Sequence, residues 1–314
     1  MIVVTGAGGF LGRRVVAALA ERGEATRVVL RRPEQASALG AHQVDIALAD
    51  IRDAASLNRA LEGATALIHL VAIIRERRGA NFQSINVEGA RNIYAAASAA
   101  GVRRSVFVSV IGAGPDSPER YFKSRWDGEE AARASGVPTA VVRFSSVFGE
   151  GDEFFNVLAA LVRAGPIVPL PGLGRSKFQP VHVDDAAEAC VRALDPSFAG
   201  RTMELGGPEI LEYHQLVNAV AREMGKRRLK LPVPLFLMAP LVRSTGWLMK
   251  TPPVTSEQLR MLRYDNVAKP GVVEAEFRFK PRPLHGNIGF VRMVSYWDAV
   301  RIMSGRMPRH IRDH

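Results

Sequence analysis

The feature that most constrains this chain of 314 residues is a glycine-rich segment that follows its first apolar run. Ile2–Thr5 is short and β-branched, which predicts a strand, and the segment TGAGGFLG at residues 5–12 opens a helical stretch. This order of strand, turn and helix places the free N–H groups of the helix N-terminus at the turn. With the positive end of the helix dipole they form an anion site, which is typical of proteins that bind the diphosphate of a dinucleotide.

The three glycines at positions 6, 9 and 12 have separate tasks in such a site. Gly6 permits the tight turn, Gly9 lets the backbone approach the diphosphate, and Gly12 lets the helix pack closely on the strand. Phe10 and Leu11 stand between the last two glycines, at the start of the helix. We predict that all five residues contact a dinucleotide, because the glycine pattern stands directly between a strand and a helix.

Short apolar runs and helical stretches alternate over the first two-thirds of the chain. The predicted strands are Ile2–Thr5, Thr26–Leu30, Gln43–Ile46, Ala66–Val71, Ser105–Ser109 and Thr139–Phe144. The predicted helices are Leu11–Arg22, Ala54–Leu61, Val87–Ala100, Tyr121–Ser135, Asp184–Leu194 and His214–Met224. The glycines that follow four of these helices, where a left-handed cap belongs, are Gly23, Gly63, Gly101 and Gly136. The pattern predicts an α/β fold, a Rossmann doubly wound parallel sheet with helices on both faces and a smaller C-terminal lid.

Three segments divide the chain on this basis. Residues 1–150 form the dinucleotide-binding core, residues 151–221 complete the core and begin the lid, and residues 222–314 form a basic lid or docking segment with no clear sheet. The hydrophobic content of 47% fits a packed globular protein. Cys190 is the only cysteine in the sequence, which excludes disulfide frameworks, iron–sulfur clusters and cysteine-built zinc sites.

The net charge of +11 lies entirely in the last segment, because residues 222–314 hold 18 Lys and Arg against 7 Asp and Glu. This segment is either a solvated basic face or a surface that docks on a membrane or a protein complex. We do not expect nucleic acid as a partner, because aromatic and basic residues do not alternate there. The chain opens without a signal-peptide pattern, and prolines and Arg243 interrupt the most apolar stretch, Leu231–Met249. We expect a cytoplasmic protein, or one held peripherally on the inner face of a membrane.

The residues that follow the second and third strands indicate which dinucleotide is bound. Arg31 and Arg32 stand where NAD-binding sites usually carry an acidic residue, and arginine suits a 2′-phosphate. NADP(H) is therefore favoured, with NAD(H) as the alternative. Asp50 and Ile51 are candidates for the adenine, while Asp53 is expected to cap the next helix.

The fourth strand should pass its carboxyl end beneath the cofactor. Val71 and Ala72 at that end are therefore further candidates for cofactor contact. His69, inside the same apolar run, is expected to be a structural histidine. Asp184 and Asp185 are expected to cap their helix.

Eight segments together resemble the atypical or extended short-chain dehydrogenase/reductases, which are similar to NAD-dependent epimerases and dehydratases. The first five are TGAGGFLG at 5–12, ADIRD at 49–53, LIHLVA at 67–72, INVEGARNIYAAASAAGV at 85–102 and VFVS at 106–109. The last three are KFQPVHVDDAAEA at 177–189, MELGGPE at 203–209 and VTSEQLRMLRYDNV at 254–267. They resemble the branch that contains the nucleotide-binding accessory subunit of respiratory complex I, alpha-subcomplex subunit nine, and its bacterial relatives.

The resemblance implies a catalytic Ser or Thr, a Tyr, and a Lys four residues after the Tyr. Tyr121 matches the tyrosine, Arg125 replaces the lysine, and Ser109 is the nearest candidate for the hydroxyl. In that family the tyrosine is the acid or base, and the cation holds the nicotinamide ribose and lowers the pKa of the tyrosine. Tyr121 and Arg125 are therefore candidates for cofactor contact as well as for catalysis.

Two functions fit a chain that departs from the family's catalytic pattern, with Arg125 in place of the lysine. One is a cofactor-holding accessory or structural subunit with a partly eroded catalytic motif. The other is an NADP-dependent oxidoreductase or epimerase that acts on an apolar, lipid- or quinone-like substrate. The sequence leaves open whether the chain is an enzyme.

Overall fold

Thirteen strands and eleven α-helices follow one another in the part of the chain that the structure describes. The structure is a computed structural model, and it describes residues 1–40, 42–249, 252, 254–306 and 308, with side chains at 241 and 244–248 left out. The strands are β1 Ile2–Thr5, β2 Thr26–Leu30, β3 Asp45–Leu48, β4 Ala66–His69, β5 Arg104–Val110, β6 Thr139–Phe144, β7 Val147–Phe148, β8 Ile167–Pro171, β9 Lys177–Phe178, β10 Val181–His182, β11 Thr202–Leu205, β12 Leu211–Glu212 and β13 Leu229–Val233. The helices are α1 Phe10–Glu21, α2 Ala54–Leu61, α3 Glu88–Ala99, α4 Arg120–Ala134, α5 Glu153–Ala164, α6 Val183–Arg192, α7 Tyr213–Glu223, α8 Leu235–Leu248, α9 Ser256–Met261, α10 Val272–Phe277 and α11 Tyr296–Met303.

Seven strands form one sheet in the order β11-β6-β5-β4-β1-β2-β3, and every neighbouring pair is parallel. Val4 on β1 pairs with Val28 on β2 and with Ile68 on β4. All three side chains are buried, as expected for strands that are covered on both faces. The predicted Rossmann fold is confirmed.

Helices cover the two faces of this sheet, and further helices form a second core beside it. Helices α1 and α6 pack together on one face, where Val16 and Cys190 are fully buried. Helices α2, α3 and α4 cover the other face over Phe107 of β5. Helix α5 packs on α7 and α11 in the second core, which includes Phe155 and Leu216.

The helix ends agree with the sequence. Gly23, Gly63, Gly101 and Gly136 have φ between +67° and +77°, the left-handed region in which glycine avoids the penalty of a Cβ. The bounds of β3 and β4 differ by about two residues from those predicted.

Seven of the thirteen described strands, β7 to β13, were not predicted, and β11 and β13 change the architecture most. β11 completes the large sheet, and β13 pairs in parallel with β8, so the expectation of no sheet after residue 222 was wrong. Both strands are short, and β13 is exposed and contains Pro232, which hides the strand pattern. No helix in the described residues is long and apolar enough to cross a membrane.

Candidate functional site

The glycine-rich turn lies at the point where the strand order of the sheet reverses. The chain leaves β1 towards β2 on one side, and β4 lies on the other side of β1. Such a switch point opens a crevice at the carboxyl ends of the strands. Gly6 has φ +74°, and a Cβ there would lie 3.2 Å from the backbone nitrogen of Val71. The turn after β1 and the residues after β4 therefore form the two walls of one crevice.

Gly12 fixes the distance between helix α1 and this turn. A Cβ on Gly12 would lie 2.1 Å from the carbonyl oxygen of Gly6 and 2.7 Å from the Cα of Ala7. Gly9 is the N-cap residue of α1, no side chain caps it, and the first turn holds no acidic residue. The positive end of α1 therefore points at the crevice with glycine backbone in front of it.

The loop after β7 closes over the start of α1. A Cβ on Gly149 would lie 3.6 Å from Phe10 Cζ, and one on Gly151, whose φ is +93°, would lie 3.3 Å from Arg13 Nη2. The buried Asp152 caps helix α5 by accepting from the Phe155 amide at 2.6 Å. Burial raises the pKa of Asp152 to about 7. Phe10 therefore lies between the glycine turn and a second glycine loop, as a side wall of the crevice.

The arginines after β2 lie exposed at the adjacent strand end. The backbone amides of Arg31 and Arg32 both donate to Gln35 Oε1, at 3.1 and 3.0 Å. The Gln35 side chain also lies over the glycine turn, 3.3 Å from the position of a Cβ on Gly8. Gln35 thus fixes the backbone that carries the two arginines and leaves both of their side chains exposed.

Asp50 and Ile51 follow β3 at the same edge of the sheet. Arg52 donates to both carboxylate oxygens of Asp50, at 2.9 and 2.6 Å, which lowers the pKa of Asp50 to about 2. The charge of Arg31 also contributes to this lowered pKa. Ile51 packs on Gly89, and its carbonyl accepts from the Asn92 side chain at 3.1 Å. Asp53 accepts from the Ala55 amide and caps α2, as predicted.

Asn86 connects the loop after Ala72 to the helix that carries Tyr121. Its side chain is fully buried and lies in Gln83–Val87, a single turn of π-helix. Its oxygen accepts from the Ile73 amide at 2.8 Å, and its nitrogen donates to the Ile73 carbonyl at 3.1 Å and to Ser124 Oγ at 3.0 Å. Asn86 thus holds the crevice wall in register with α4. This role of Asn86 could be found only from the tertiary structure and not from the sequence.

Tyr121 stands in the first turn of α4 within an aromatic cluster. Its ring lies 5.8 Å from the centroids of both Phe82 and Phe122, and Ile73, Val110 and Met261 pack on the same cluster. Burial raises the pKa of Tyr121, and the positive charge of Arg125 acts against that effect. Tyr121 therefore keeps its proton at neutral pH.

Arg125 lies one helical turn after Tyr121 and is 1% exposed. Its Nη2 donates to the carbonyl of Val108, and its guanidinium carbon lies 4.9 Å from the ring centroid of Phe107. Its Nε and Nη1 have no hydrogen-bond partner among the described residues. Burial lowers the pKa of Arg125, because no carboxylate pairs directly with the guanidinium within the described chain.

Other buried polar side chains near Phe107 also carry an atom without a partner in the described chain. Ser109 lies two residues after Phe107 on the same face of β5, and its hydroxyl has no partner among the described residues. His69 lies 5.3 Å from the Phe107 ring and shares a 2.8 Å hydrogen bond with Thr5 through Nδ1, but its Nε2 is unpartnered within the described chain. Burial and the charge of Arg125 lower the pKa of His69 to about 3. We call His69, Ser109 and Arg125 the buried polar cluster.

Helix α9 connects the C-terminal segment to α4. Glu257 accepts from the backbone amide of Tyr121 at 3.1 Å, which gives α4 the acidic partner that its N-terminus needs. Arg260 donates to Glu119 at 2.9 Å and to Glu257 at 2.5 Å. The segment TSEQLR thus fixes the end of the helix that carries Tyr121.

His182, and neither aspartate, caps helix α6, so the expected role of Asp184 and Asp185 was wrong. The ring of His182 accepts from the Asp184 amide at 3.3 Å. Asp184 instead pairs with Arg282 at 2.6 Å, and Asp185 accepts from the Arg282 amide at 2.6 Å. The two carboxylates hold the segment around Arg282 against the first turn of α6.

Residues 2–206 match the sequence model of the NAD-dependent epimerase/dehydratase family. This chain belongs to that family. It is 33% identical over 264 residues to a ceramide reductase of Caulobacter vibrioides, with 81% of each chain covered. It is also 33% identical over 242 residues to the mitochondrial NADH dehydrogenase [ubiquinone] 1 alpha subcomplex subunit 9 of Arabidopsis thaliana, over 74% of this chain but 60% of that protein.

One solved structure shows the same fold as this family member. An NADPH-dependent quinone oxidoreductase of Escherichia coli, solved with NADPH, superposes with a TM-score of 0.74 at 22% identity and covers 94% of this chain and 100% of that chain. The family and the crevice geometry together support binding of a nicotinamide dinucleotide at the glycine turn. The predicted relation to complex I subunit nine is confirmed at the level of sequence similarity.

Proposed function

We propose that this chain is an NADP(H)-dependent reductase of an apolar carbonyl substrate, with Tyr121 as the proton donor. The observation that carries the proposal is the unused hydrogen-bonding capacity beside Tyr121. Ser109 and Arg125 are buried, and neither the serine hydroxyl nor two of the arginine nitrogens has a partner in the described residues. Buried polar groups without partners are rare in proteins, and a catalytic role is one of the explanations for them.

The residues fit a nicotinamide dinucleotide with the diphosphate at the glycine turn. Gly6, Gly9 and Gly12 supply the backbone cradle, and Arg31 and Arg32 are free to hold a 2′-phosphate. Asp50, Ile51, Val71 and Ala72 lie at the same strand ends and remain predicted contacts. A bound, reduced nicotinamide supplies the hydride.

Tyr121 donates the proton that the carbonyl oxygen takes up as it becomes a hydroxyl. Its raised pKa suits it to this direction of reaction, because a protonated phenol is a donor and a poor base. Arg125 supplies a permanent positive charge beside the tyrosinate that remains, and its two unpartnered nitrogens are donors for the ribose hydroxyls. Ser109 orients the substrate oxygen.

The walls around Tyr121 define the substrate class. Ile73, Phe82, Val110, Phe122 and Met261 are apolar, and Arg120 lies over the Phe82 ring at 5.8 Å. An apolar, lipid- or quinone-like carbonyl compound fits such walls. The names of two similar proteins, a ceramide reductase and a quinone oxidoreductase, support this choice.

Replacement of Tyr121 by Phe tests the proposal. NADPH-dependent reduction of a long-chain ketone and of a short-tailed quinone is followed by the loss of NADPH absorbance. We expect Y121F to reduce kcat by about 10²- to 10⁴-fold while NADPH affinity stays unchanged. Y264F is the matched control, because Tyr264 is 39% exposed and contacts the same cluster through Phe122. Wild-type turnover in Y121F rejects the mechanism.

A second candidate function is a cofactor-holding accessory subunit. Arg125 in place of a lysine favours it, and so does the similarity to complex I subunit nine. In this case NADP(H) stabilises the fold by mass action, about 2.7 kcal/mol at a hundredfold excess over Kd. No reduction of either probe, together with cofactor-dependent stabilisation that Y121F leaves intact, would establish this function instead of the first.

The positive charge of the C-terminal third is compatible with either function. We propose that this segment docks the protein on the inner surface of a membrane, where an apolar substrate or a membrane complex is found. The excess of 11 positive charges over residues 222–314 supports this location.

A further inference from the structure

An uncovered apolar face lies on the small sheet formed by β8 and β13. Leu229 pairs with Ile167, and Leu231 pairs with Pro169, so these side chains share one face. Leu229 is 71% exposed, Leu231 54% and Ile167 51%. Val168 and Lys230 lie on the opposite face, where Val168 is fully buried in the second core.

The start of α8, which follows β13 in the chain, adds two exposed apolar side chains. Phe236 is 72% exposed and Leu237 is 59% exposed. Five large apolar side chains are thus exposed over a short stretch of chain and its paired strand. Monomeric proteins rarely expose apolar residues as a contiguous patch unless the patch binds a partner or a membrane.

A basic concavity of about 660 Å³ lies on the other side of β13, against α7. Its charged lining residues are Arg222, Lys226, Arg227, Arg228 and Lys230. None of its described lining residues is acidic, and the nearby Glu223 is neutralised by Arg292 at 2.7 Å. Arg222, Lys226 and Arg227 form no ion pair with any residue in the described chain.

The apolar face and the basic concavity meet along the free edge of β13. In the described chain this strand pairs with β8 alone, and four of its five residues are exposed. A surface with apolar side chains on one side and only cations on the other matches the boundary between acyl chains and anionic headgroups. A second copy of this chain fits poorly, because a twofold contact would bring the two basic concavities together.

We propose that the free edge of β13, with its apolar face and its basic concavity, binds the surface of an anionic phospholipid bilayer. Lipid phosphates occupy the concavity, and Leu229, Leu231 and Phe236 enter the headgroup boundary. This inference names the residues that make the membrane contact proposed above, and it rests on that proposal. It places no part of the chain across the bilayer.

Vesicle co-sedimentation of the full chain tests this site. We expect binding to vesicles of phosphatidylcholine mixed with the anionic lipid phosphatidylglycerol, and little binding to phosphatidylcholine alone. Binding should fall as salt rises, because the attraction is screened within a Debye length of about 8 Å at physiological ionic strength. Equal binding to both vesicle types overturns the proposal.

Two sets of variants separate the two parts of the surface. The triple variant R222Q/K226Q/R227Q should lose about 100-fold in vesicle affinity, because each basic residue near an anionic surface contributes about fivefold. The apolar variant L229S/L231S/F236S should bind more weakly, and its remaining binding should still fall as salt rises. The matched control is R59Q/R91Q/R103Q, which removes the same charge from exposed positions on the α2–α3 side and should bind like wild type.

NADPH affinity measured on the same proteins separates this inference from the proposed function. Loss of vesicle binding with intact NADPH affinity in the triple variant supports the site. An equal loss in the control shows that net charge alone drives binding, which overturns it. Binding of wild type to neither vesicle, with NADPH affinity intact, overturns the inference and leaves the reductase proposal standing. Concentration-dependent dimers that the L229S/L231S/F236S variant abolishes assign the face to self-association instead.

Discussion

The glycine turn and the buried polar cluster lie at the same edge of the sheet, but they are built in opposite ways. The turn at residues 5–12 is made of backbone, and its fit depends on the absence of side chains. The cluster of His69, Ser109 and Arg125 is made of side chains whose polar atoms are only partly paired in the described chain. The first region is closely packed backbone, and the second leaves side-chain hydrogen bonds unmade. This difference predicts that the turn contributes to stability and that the cluster reduces it.

The largest effect is expected in the turn. Gly12→Ala places a Cβ 2.1 Å from the Gly6 carbonyl oxygen. The backbone that carries these two atoms cannot move apart without separating α1 from β1. We expect a loss of about 3 kcal/mol in the free energy of unfolding, together with loss of NADPH binding. Urea denaturation and NADPH titration measure the two effects.

Gly165→Ala is the control for this substitution. Gly165 has an extended backbone, and no atom lies within 4 Å of the position of its Cβ. Its effect should stay within about 0.5 kcal/mol. If Gly12→Ala is as mild as this control, close packing does not hold the turn.

The next effect has the opposite sign and lies in the cluster. Arg125→Met removes a buried charge that has two unpartnered nitrogens in the described chain. We expect the protein without cofactor to become more stable by about 1–3 kcal/mol, because a buried unsatisfied group costs about that much. NADPH affinity should fall in the same variant, and Arg125→Lys should restore part of it.

Arg143→Met distinguishes this result from a general tolerance of arginine loss. Arg143 donates to both oxygens of the fully buried Glu129, at 2.9 and 2.8 Å. Its removal leaves the buried Glu129 carboxylate with one ion-pair partner, the partly exposed Arg133. We therefore expect the protein to be destabilised by about 3 kcal/mol. Destabilisation by Arg125→Met of the same size would contradict the contrast between the two regions.

The last effect concerns pH and is spread over several pH units. The pKa of His69 is lowered to about 3, so the folded protein excludes a proton that the unfolded chain binds near pH 6.5, and stability falls as pH drops through that window. The pKa of Asp152 is raised to about 7 from 3.8, so its contribution to stability falls as pH rises over 3.8–7. The two slopes oppose each other between pH 3.8 and 6.5.

Asp152→Asn separates these two slopes, because asparagine keeps the cap of α5. Compared with wild type, the variant should lose stability more steeply as pH falls from 6.5 to 4, by up to about 1.4 kcal/mol per pH unit. Urea denaturation at several pH values measures this difference. Parallel curves for the two proteins would show that Asp152 does not hold its proton in the fold.

The sequence predicted the turn better than the cluster for the same physical reason. A glycine pattern and strand periodicity are local, so Gly6, Gly9, Gly12 and most of the large sheet could be read directly. The carbonyl that accepts from Arg125 belongs to Val108 on β5, 17 residues earlier, and the spacing after Tyr121 does not show that the arginine turns inward to reach it. The strands β11 and β13 were missed because they are too short or too exposed to show a pattern.

Residues that position the site were missed for a related reason. Asn86, Glu257 and Arg260 act through bonds to segments that are distant in sequence. The signal for Asn86 was one polar residue at the apolar start of a helix. Glu257 and Arg260 lie within a segment that carries the family resemblance, but nothing local connects them to Tyr121.

Direct titration of the purified chain with NADPH and NADH, for wild type and the R31A/R32A variant, tests the central claim. We predict saturable binding of NADPH by wild type, and a loss of about 10- to 100-fold in the variant, because charge-assisted hydrogen bonds to the 2′-phosphate are removed. NADH affinity should change little. Absence of binding of either dinucleotide to wild type would contradict the assignment of the crevice.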